Sequence, residues 1–297
     1  MPILRTPEAR FENLPGFPYA PRYLDALPGY PGMRMHYVDE GPRQAGHVFL
    51  CLHGEPSWAY LYRKMIPVFV AAGGRAVAPD FFGFGRSDKL AEDAAYTFDF
   101  HRRSLIAFIE ALDLQRITLV CQDWGGLIGL TLPMDMPGRF LRLVVMNTFL
   151  PTGEEPLGKG FLAWRAFANA HPDMEVGRLI QRGTPQLSAA EVAAYDAPYP
   201  DASFKAGVRR FPNLVPDRPD APGAALSRRA RAWWTNDWRG KSFMAIGAAD
   251  PVLGEPAMLQ LKAIIRGCPA PMVLKEAGHF VQEWGEGIAN AALASFA

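Results

Sequence analysis

Five short runs in this chain are apolar at almost every position: Val48-Phe-Leu-Cys-Leu52, Arg75-Ala-Val-Ala78, Ile117-Thr-Leu-Val-Cys121, Leu143-Val-Val-Met146 and Phe243-Met-Ala-Ile246. A strand exposed on one face alternates apolar and polar residues, so runs without alternation suit strands covered on both faces. Met272-Val-Leu274 is a weaker run of the same kind. Between two of the runs, Leu105, Phe108, Ile109 and Leu112 recur at i, i+3, i+4 and i+7, one face of an amphipathic helix. Strands alternating with helices in this way predict an α/β fold, a mostly parallel sheet with helices on both sides.

The rhythm stops over residues 151–220, where strand patterns vanish. Ser188-Ala-Ala-Glu191 reads there as a capping box, the serine oxygen and the glutamate each taking a free helix N–H. This stretch is expected to be a helical cap inserted into a core formed by residues 1–150 and 221–297. Strands should resume at Lys241.

Composition narrows the function classes. Hydrophobic residues make up 49% and charged residues 21% of the 297, a globular balance. Lys plus Arg is 31 against 30 Asp plus Glu, a net charge of +1, so neither nucleic acid nor an acidic surface is implied as a partner. The tryptophans after Arg228-Arg-Ala-Arg231 (Trp233, Trp234 and Trp238) accordingly read as packing rather than base stacking. No window approaches the roughly 18 apolar residues of a membrane span, and Glu8 precedes any apolar run, so no signal peptide is expected. Cys51, Cys121 and Cys268 are odd in number, far apart and without C-x-x-C spacing, which points to a reducing, cytoplasmic setting. His36, His47, His101 and His171 show no ligand spacing, and no metal is expected.

Chemistry gathers where strands end, the edge at which open α/β sheets place their ligands. In Val120-Cys-Gln-Asp-Trp-Gly-Gly126 a buried strand runs into a turn and an apolar helix leaves it, the setting of a nucleophile elbow. The central residue is Asp123, and Cys121 stands where the elbow usually has its first glycine. Ile246-Gly-Ala-Ala-Asp250 and Glu276-Ala-Gly-His279 follow later strands, so the order is nucleophile, acid, histidine, as in α/β-hydrolases. Leu52-His53-Gly54-Glu55-Pro56 occupies the loop that supplies an oxyanion-hole N–H in that fold, and His53 reads as a residue shaping the loop. Singly, each residue has an ordinary structural reading as a helix cap, turn or core position. Together, in the right order and context, they read as a catalytic set.

An aspartate nucleophile narrows the reaction. Serine attacking a saturated carbon would form an inert ether, whereas aspartate forms an ester whose carbonyl carbon water can attack with histidine as base. Asp123 therefore points to an sp³ carbon carrying a halide or an epoxide oxygen. A halide needs donors but no proton. Trp124 follows the nucleophile with an indole N–H that only donates, and Trp164 in the insertion is the leading second donor.

The chain resembles the haloalkane dehalogenases, in particular those with two halide-binding tryptophans and the acid after a late strand. The likeness rests on His53-Gly-Glu-Pro56, Pro79-Asp-Phe-Phe-Gly-Phe-Gly-Arg-Ser87, Gln122-Asp-Trp-Gly-Gly126, Phe161-x-x-Trp164, Tyr195-x-Ala-Pro-x-Pro200, Asn236-Asp-Trp238, Met244-Ala-Ile-Gly247 and Gly278-His-Phe-Val-Gln-Glu283. The resemblance implies an α/β-hydrolase fold with Asp123 as nucleophile, His279 as base and Asp250 as its orienting acid. It implies halide held by Trp124 and Trp164, and an oxyanion hole of the Glu55 and Trp124 N–H groups. An apolar pocket would be lined by Phe161, Phe211, Pro212, Val215, Leu253 and Phe280. No cofactor is implied, the partners are a small haloalkane, water and halide, and a monomer is expected. Asn147 stands where another subfamily keeps its acid, which favours Asp250, and Leu127 stands where a relative carries a phenylalanine. An epoxide hydrolase, with Tyr195 and Tyr199 protonating the epoxide oxygen, is the alternative. A non-catalytic binding protein of this fold would have no chemical need for Asp123, Asp250 and His279 together.

Overall fold

The computed structural model describes residues 2–297. Its strands are β1 (Ile3–Leu4), β2 (Arg22–Leu24), β3 (Met35–Glu40), β4 (Val48–Leu52), β5 (Arg75–Pro79), β6 (Lys89–Leu90), β7 (Ile117–Gln122), β8 (Phe140–Met146), β9 (Lys241–Gly247) and β10 (Met272–Leu274). Eight of them form one sheet in the order β10-β9-β8-β7-β4-β5-β3-β2. Every pairing from β10 to β5 is parallel, and β3 and β2 add an antiparallel edge. All residues of β4 and β7 are buried, as their unbroken apolar runs require.

The antiparallel edge was not legible as strand, for a physical reason. β3 reads Met35-His-Tyr-Val-Asp-Glu40, and its polar residues break the pattern. They are buried but paired: His36 Nδ1 lies 2.7 Å from Asp80 Oδ2, and Arg75 Nε donates to Asp39 Oδ1 at 2.6 Å. β1 and β6, two residues each, pair antiparallel in a separate ribbon and are too short to leave a periodicity.

The helices are α1 (Ile66–Ala71), α2 (Phe98–Ala111), α3 (Trp124–Gly129), α4 (Lys159–Ala170), α5 (Val176–Gly183), α6 (Ala189–Asp196), α7 (Ala206–Arg210), α8 (Ala224–Asn236), α9 (Glu255–Ile264) and α10 (Gly285–Phe296). The amphipathic stretch around Leu105 is α2, started by the Thr97 hydroxyl accepting the Phe100 N–H at 3.0 Å. Between β8 and β9 the chain is helical, with α4 to α8 and no strand. The Ser188 capping box opens α6 with both hydrogen bonds in place. Trp233, Trp234 and Trp238 pack on one another, and the Trp234 and Trp238 N–H groups are taken by Leu130 O and Ser242 Oγ. Among the described residues no helix is long and apolar enough to cross a membrane.

Because β4, β7, β8, β9 and β10 run parallel, their C-terminal ends share one edge of the sheet. The loops leaving that edge carry Glu55, Asp123, Asn147, Asp250 and His279 in turn.

Candidate active site

Asp123 sits between the end of β7 and the start of α3 with φ 49° and ψ −125°. A non-glycine residue held at positive φ costs on the order of 1–3 kcal/mol and persists only where its surroundings fix it. Here the Asp123 N–H donates to Asn147 O at 2.9 Å, while its carbonyl accepts from Thr148 Oγ1 at 2.7 Å and from the Leu127 N–H at 2.9 Å. Two glycines let the turn close. A Cβ on Gly125 would fall 2.0 Å from Leu52 O, and one on Gly126 would fall 2.1 Å from Thr148 Oγ1. The elbow read from the sequence is therefore formed, with Cys121 fully buried in the strand leading into it.

The two carboxylate oxygens of Asp123 have different surroundings. Oδ1 accepts the Glu55 N–H at 2.8 Å. Oδ2 lies 3.5 Å from His279 Nε2. The Trp124 N–H, expected as a second oxyanion donor, makes no hydrogen bond to the carboxylate, so the structure brings one of the two expected donors onto Asp123. On the other side of the imidazole, His279 Nδ1 lies 2.8 Å from Asp250 Oδ2. Asp123, His279 and Asp250 thus form one contiguous line drawn from three strand ends.

Charge in this line is set by burial and pairing. Burial opposes ionisation of Asp250, but His279, the Asn147 amide and the Val252 N–H outweigh it and hold its pKa down to about 2. Burial also disfavours the imidazolium of His279, yet Asp250 and Asp123 together hold its pKa well above the ordinary histidine value. Glu55 is driven the opposite way: burial, reinforced by the Asp123 charge, raises its carboxyl far above the usual range. Both influences favour the neutral carboxyl over the carboxylate, and among the described residues its buried Oε1 has no hydrogen-bond partner.

The tryptophans differ in surroundings. Trp124 is 3% exposed and stacks on Phe211 with ring centroids 4.5 Å apart. Buried indole N–H groups usually find an acceptor, as those of Trp58, Trp234 and Trp238 do; the Trp124 indole N–H donates to no group among the described residues. Trp164 is half-buried on α4, and its indole N–H likewise meets no acceptor among the described residues. The start of α4 lies against the loop after Asp250, where a Cβ on Gly160 would fall 2.0 Å from Pro251 O. Of the expected lining residues, Phe211, Pro212, Val215 and Phe280 are buried, whereas Phe161 and Leu253 are half-buried. Phe280 meets His279 edge to face at 4.9 Å.

Three features of the site escaped sequence reasoning. Asn147 was noted only for lacking a carboxylate, but its Nδ2 donates to Asp250 Oδ2 at 2.9 Å and to Gly247 O at 3.0 Å. Gln122 contacts His279 directly, its Nε2 lying 2.9 Å from His279 Nε2. The Glu55 side chain is buried beside Asp123 in addition to its backbone contact. Their signal was position alone: Gln122 ends β7, Asn147 directly follows β8, and Glu55 lies three residues past β4. His53 does shape its loop: Nδ1 donates to Gly54 O at 2.9 Å and Nε2 accepts the Phe81 N–H at 3.0 Å.

The sheet order, the elbow and the strand-end acid and histidine define a hydrolase of the α/β type, and the family described as the alpha/beta hydrolase fold matches residues 47–286. Within that fold the chain belongs to the haloalkane dehalogenases. It is 47% identical to a haloalkane dehalogenase of Psychrobacter cryohalolentis over 98% of this chain and 96% of that one. A haloalkane dehalogenase of Mycobacterium marinum is 46% identical, with 95% of each chain covered. Among solved structures, a haloalkane dehalogenase from Paraglaciecola agarilytica NO2, described as tetrameric, is 55% identical. It superposes with a TM-score of 0.98 over 100% of this chain and 99% of that one.

Proposed function

We propose that this haloalkane dehalogenase cleaves the carbon–halogen bond of small haloalkanes through an ester on Asp123. The observation that carries the reading is the asymmetric environment of that carboxylate. The Glu55 N–H occupies Oδ1, leaving Oδ2, on the His279 side, to attack. Attack by Oδ2 forms the O–C bond as the carbon–halogen bond breaks, and halide leaves with the electron pair. The Trp124 and Trp164 N–H groups receive it.

Alkylation then changes the base. The ester carries no charge, so one of the two carboxylates that held a proton on His279 is lost. His279 therefore gives up its proton more readily and is available as the free base at the moment it is needed. Its Nε2 takes a proton from water as the water oxygen bonds to Asp123 Cγ. The oxyanion that forms at Oδ1 meets the Glu55 N–H, and collapse breaks the bond between Cγ and the alkoxy oxygen. The alcohol leaves with the proton returned by His279, Asp123 keeps one oxygen from water, and one proton is released overall.

The residues around Tyr195 and Tyr199 disfavour epoxide opening. The Tyr195 hydroxyl donates to Glu283 Oε1, which Arg63 also holds, and the Tyr199 hydroxyl donates to Pro56 O at 3.2 Å. Both phenolic protons are already committed to protein acceptors.

The same reading takes residues 151–220 as a cap over the site, with core segments 1–150 and 221–297. The unpaired Cys51, Cys121 and Cys268 support a cytoplasmic setting. For assembly, the expected monomer stands against the tetramer described for the Paraglaciecola relative, and light scattering on the purified protein separates them. The deciding assay is incubation with 1,2-dibromoethane, which should release bromide and acid together. Absence of both, with styrene oxide opened instead, would reverse the choice.

A further inference from the structure

Gln122, the last residue of β7, is fully buried, and its amide direction is fixed by its neighbours. Nε2 donates to the His279 carbonyl at 3.1 Å, and Oε1 faces the Gln282 Nε2 donor at 3.4 Å. Reversing the amide would set two acceptors against each other and two donors against each other. With the orientation fixed, Nε2 also lies 2.9 Å from His279 Nε2. A donor at that distance matches the neutral imidazole, whose bare Nε2 accepts and whose Nδ1–H donates to Asp250 Oδ2, and it works against the imidazolium that Asp250 and Asp123 favour. An imidazolium would bring two N–H groups head to head.

We propose that Gln122 is a positioning residue that sets the protonation of the base, its amide N–H filling the His279 Nε2 lone pair and favouring the neutral tautomer that can deprotonate water. The groups facing His279 then divide in two. Asp250 on Nδ1 and Asp123 on Nε2 favour the imidazolium. Gln122 opposes it, and the neighbouring Glu55 carboxyl adds no charge while it stays protonated. When alkylation removes the Asp123 charge, Gln122 tips the balance to the free base. The incoming water then replaces the amide at Nε2, while Gln122 keeps its bond to the His279 carbonyl.

This inference rests on the dehalogenase reading for its catalytic consequence, but not for its test on the resting enzyme. Gln122→Met keeps the side-chain length and removes the donor. The His279 imidazole should be titrated by nitrogen NMR in wild type and variant, without substrate. Its pKa should rise in Gln122→Met by about one pH unit. The single-turnover hydrolysis of the alkyl-enzyme, started after the halide burst, should show the same upward shift in its pH profile. A lower plateau with an unshifted pKa would mean that Gln122 only supports the turn, and would overturn the proposal. Lack of a halide burst in the wild type would instead overturn the dehalogenase reading and leave the NMR result standing. If Gln122→Met does not fold, the wild-type nitrogen shifts decide alone: once the imidazole is neutral, its proton should sit on Nδ1 with Nε2 bare, and a neutral ring protonated on Nε2 overturns the proposal.

Discussion

Asn147 Nδ2 donates to Asp250 Oδ2 at 2.9 Å, joining the end of β8 to the loop after β9. The Gly247 N–H closes the link by donating to Asn147 Oδ1 at 2.8 Å. The same carboxylate oxygen faces His279 Nδ1, so a neutral amide on one strand positions the acid on the next. Asn147→Leu should therefore loosen Asp250 without removing a charge. Its effect should fall on the hydrolytic half of the reaction, seen as slower alkyl-enzyme breakdown with the halide burst retained.

Asp250 should also shape acid stability. Its folded pKa, about 2, lies below its unfolded value. Its contribution is thus fully present above the unfolded carboxylate pKa of about 3.9, and is lost as pH falls toward 2. The contribution is on the order of 2 kcal/mol. Denaturant unfolding of wild type and Asp250→Asn at stepped pH should show the wild type losing more stability across that window. Parallel pH dependences would refute the assignment.

Replacing the nucleophile separates chemistry from folding. Asp123→Ala should reduce halide release to background while circular dichroism remains that of the wild type, because the elbow is held by backbone bonds and by Gly125 and Gly126. Steady turnover by this variant would sink the role of Asp123. Asn is the poorer probe, since deamidation restores aspartate.

Losing the base should stop the reaction halfway. His279→Gln should release about one halide per active site and retain the alkyl group, read as a mass increase on the intact protein. No burst and no adduct, with substrate still bound, would place histidine before alkylation instead.

The leaving group is tested at the tryptophans. Chloride or bromide should quench the intrinsic fluorescence of the wild type, and Trp164→Phe should weaken that binding. Removing one preorganised donor should slow carbon–halogen cleavage by ~10²–10³, more for 1-chlorobutane than for 1-bromobutane because chloride is the poorer leaving group. Unchanged halide affinity would leave Trp164 a packing residue.

Much of this was legible in local sequence because it depends on local chemistry. The buried runs of β4 and β7, the glycines after Asp123 and the Ser188 capping box each encode their structure within a few residues. Asp123 in the elbow, with no serine there, was enough to separate alkyl transfer from acyl transfer. What the chain does not write locally is which polar groups meet across the sheet. His36 with Asp80, Asn147 with Asp250, and Gln122 with His279 are 44, 103 and 157 residues apart, and strand order alone brings them together. The protonation states follow from those meetings. Glu55 and Asp250 are the same kind of group in the sequence. One is buried with an unpartnered oxygen beside a like charge, which favours its neutral form, while the other is buried against an imidazole and an amide, which favour its ionised form. Residue type fixed the available chemistry, and the tertiary structure, by choosing neighbours and excluding water, decided which groups carry the charge.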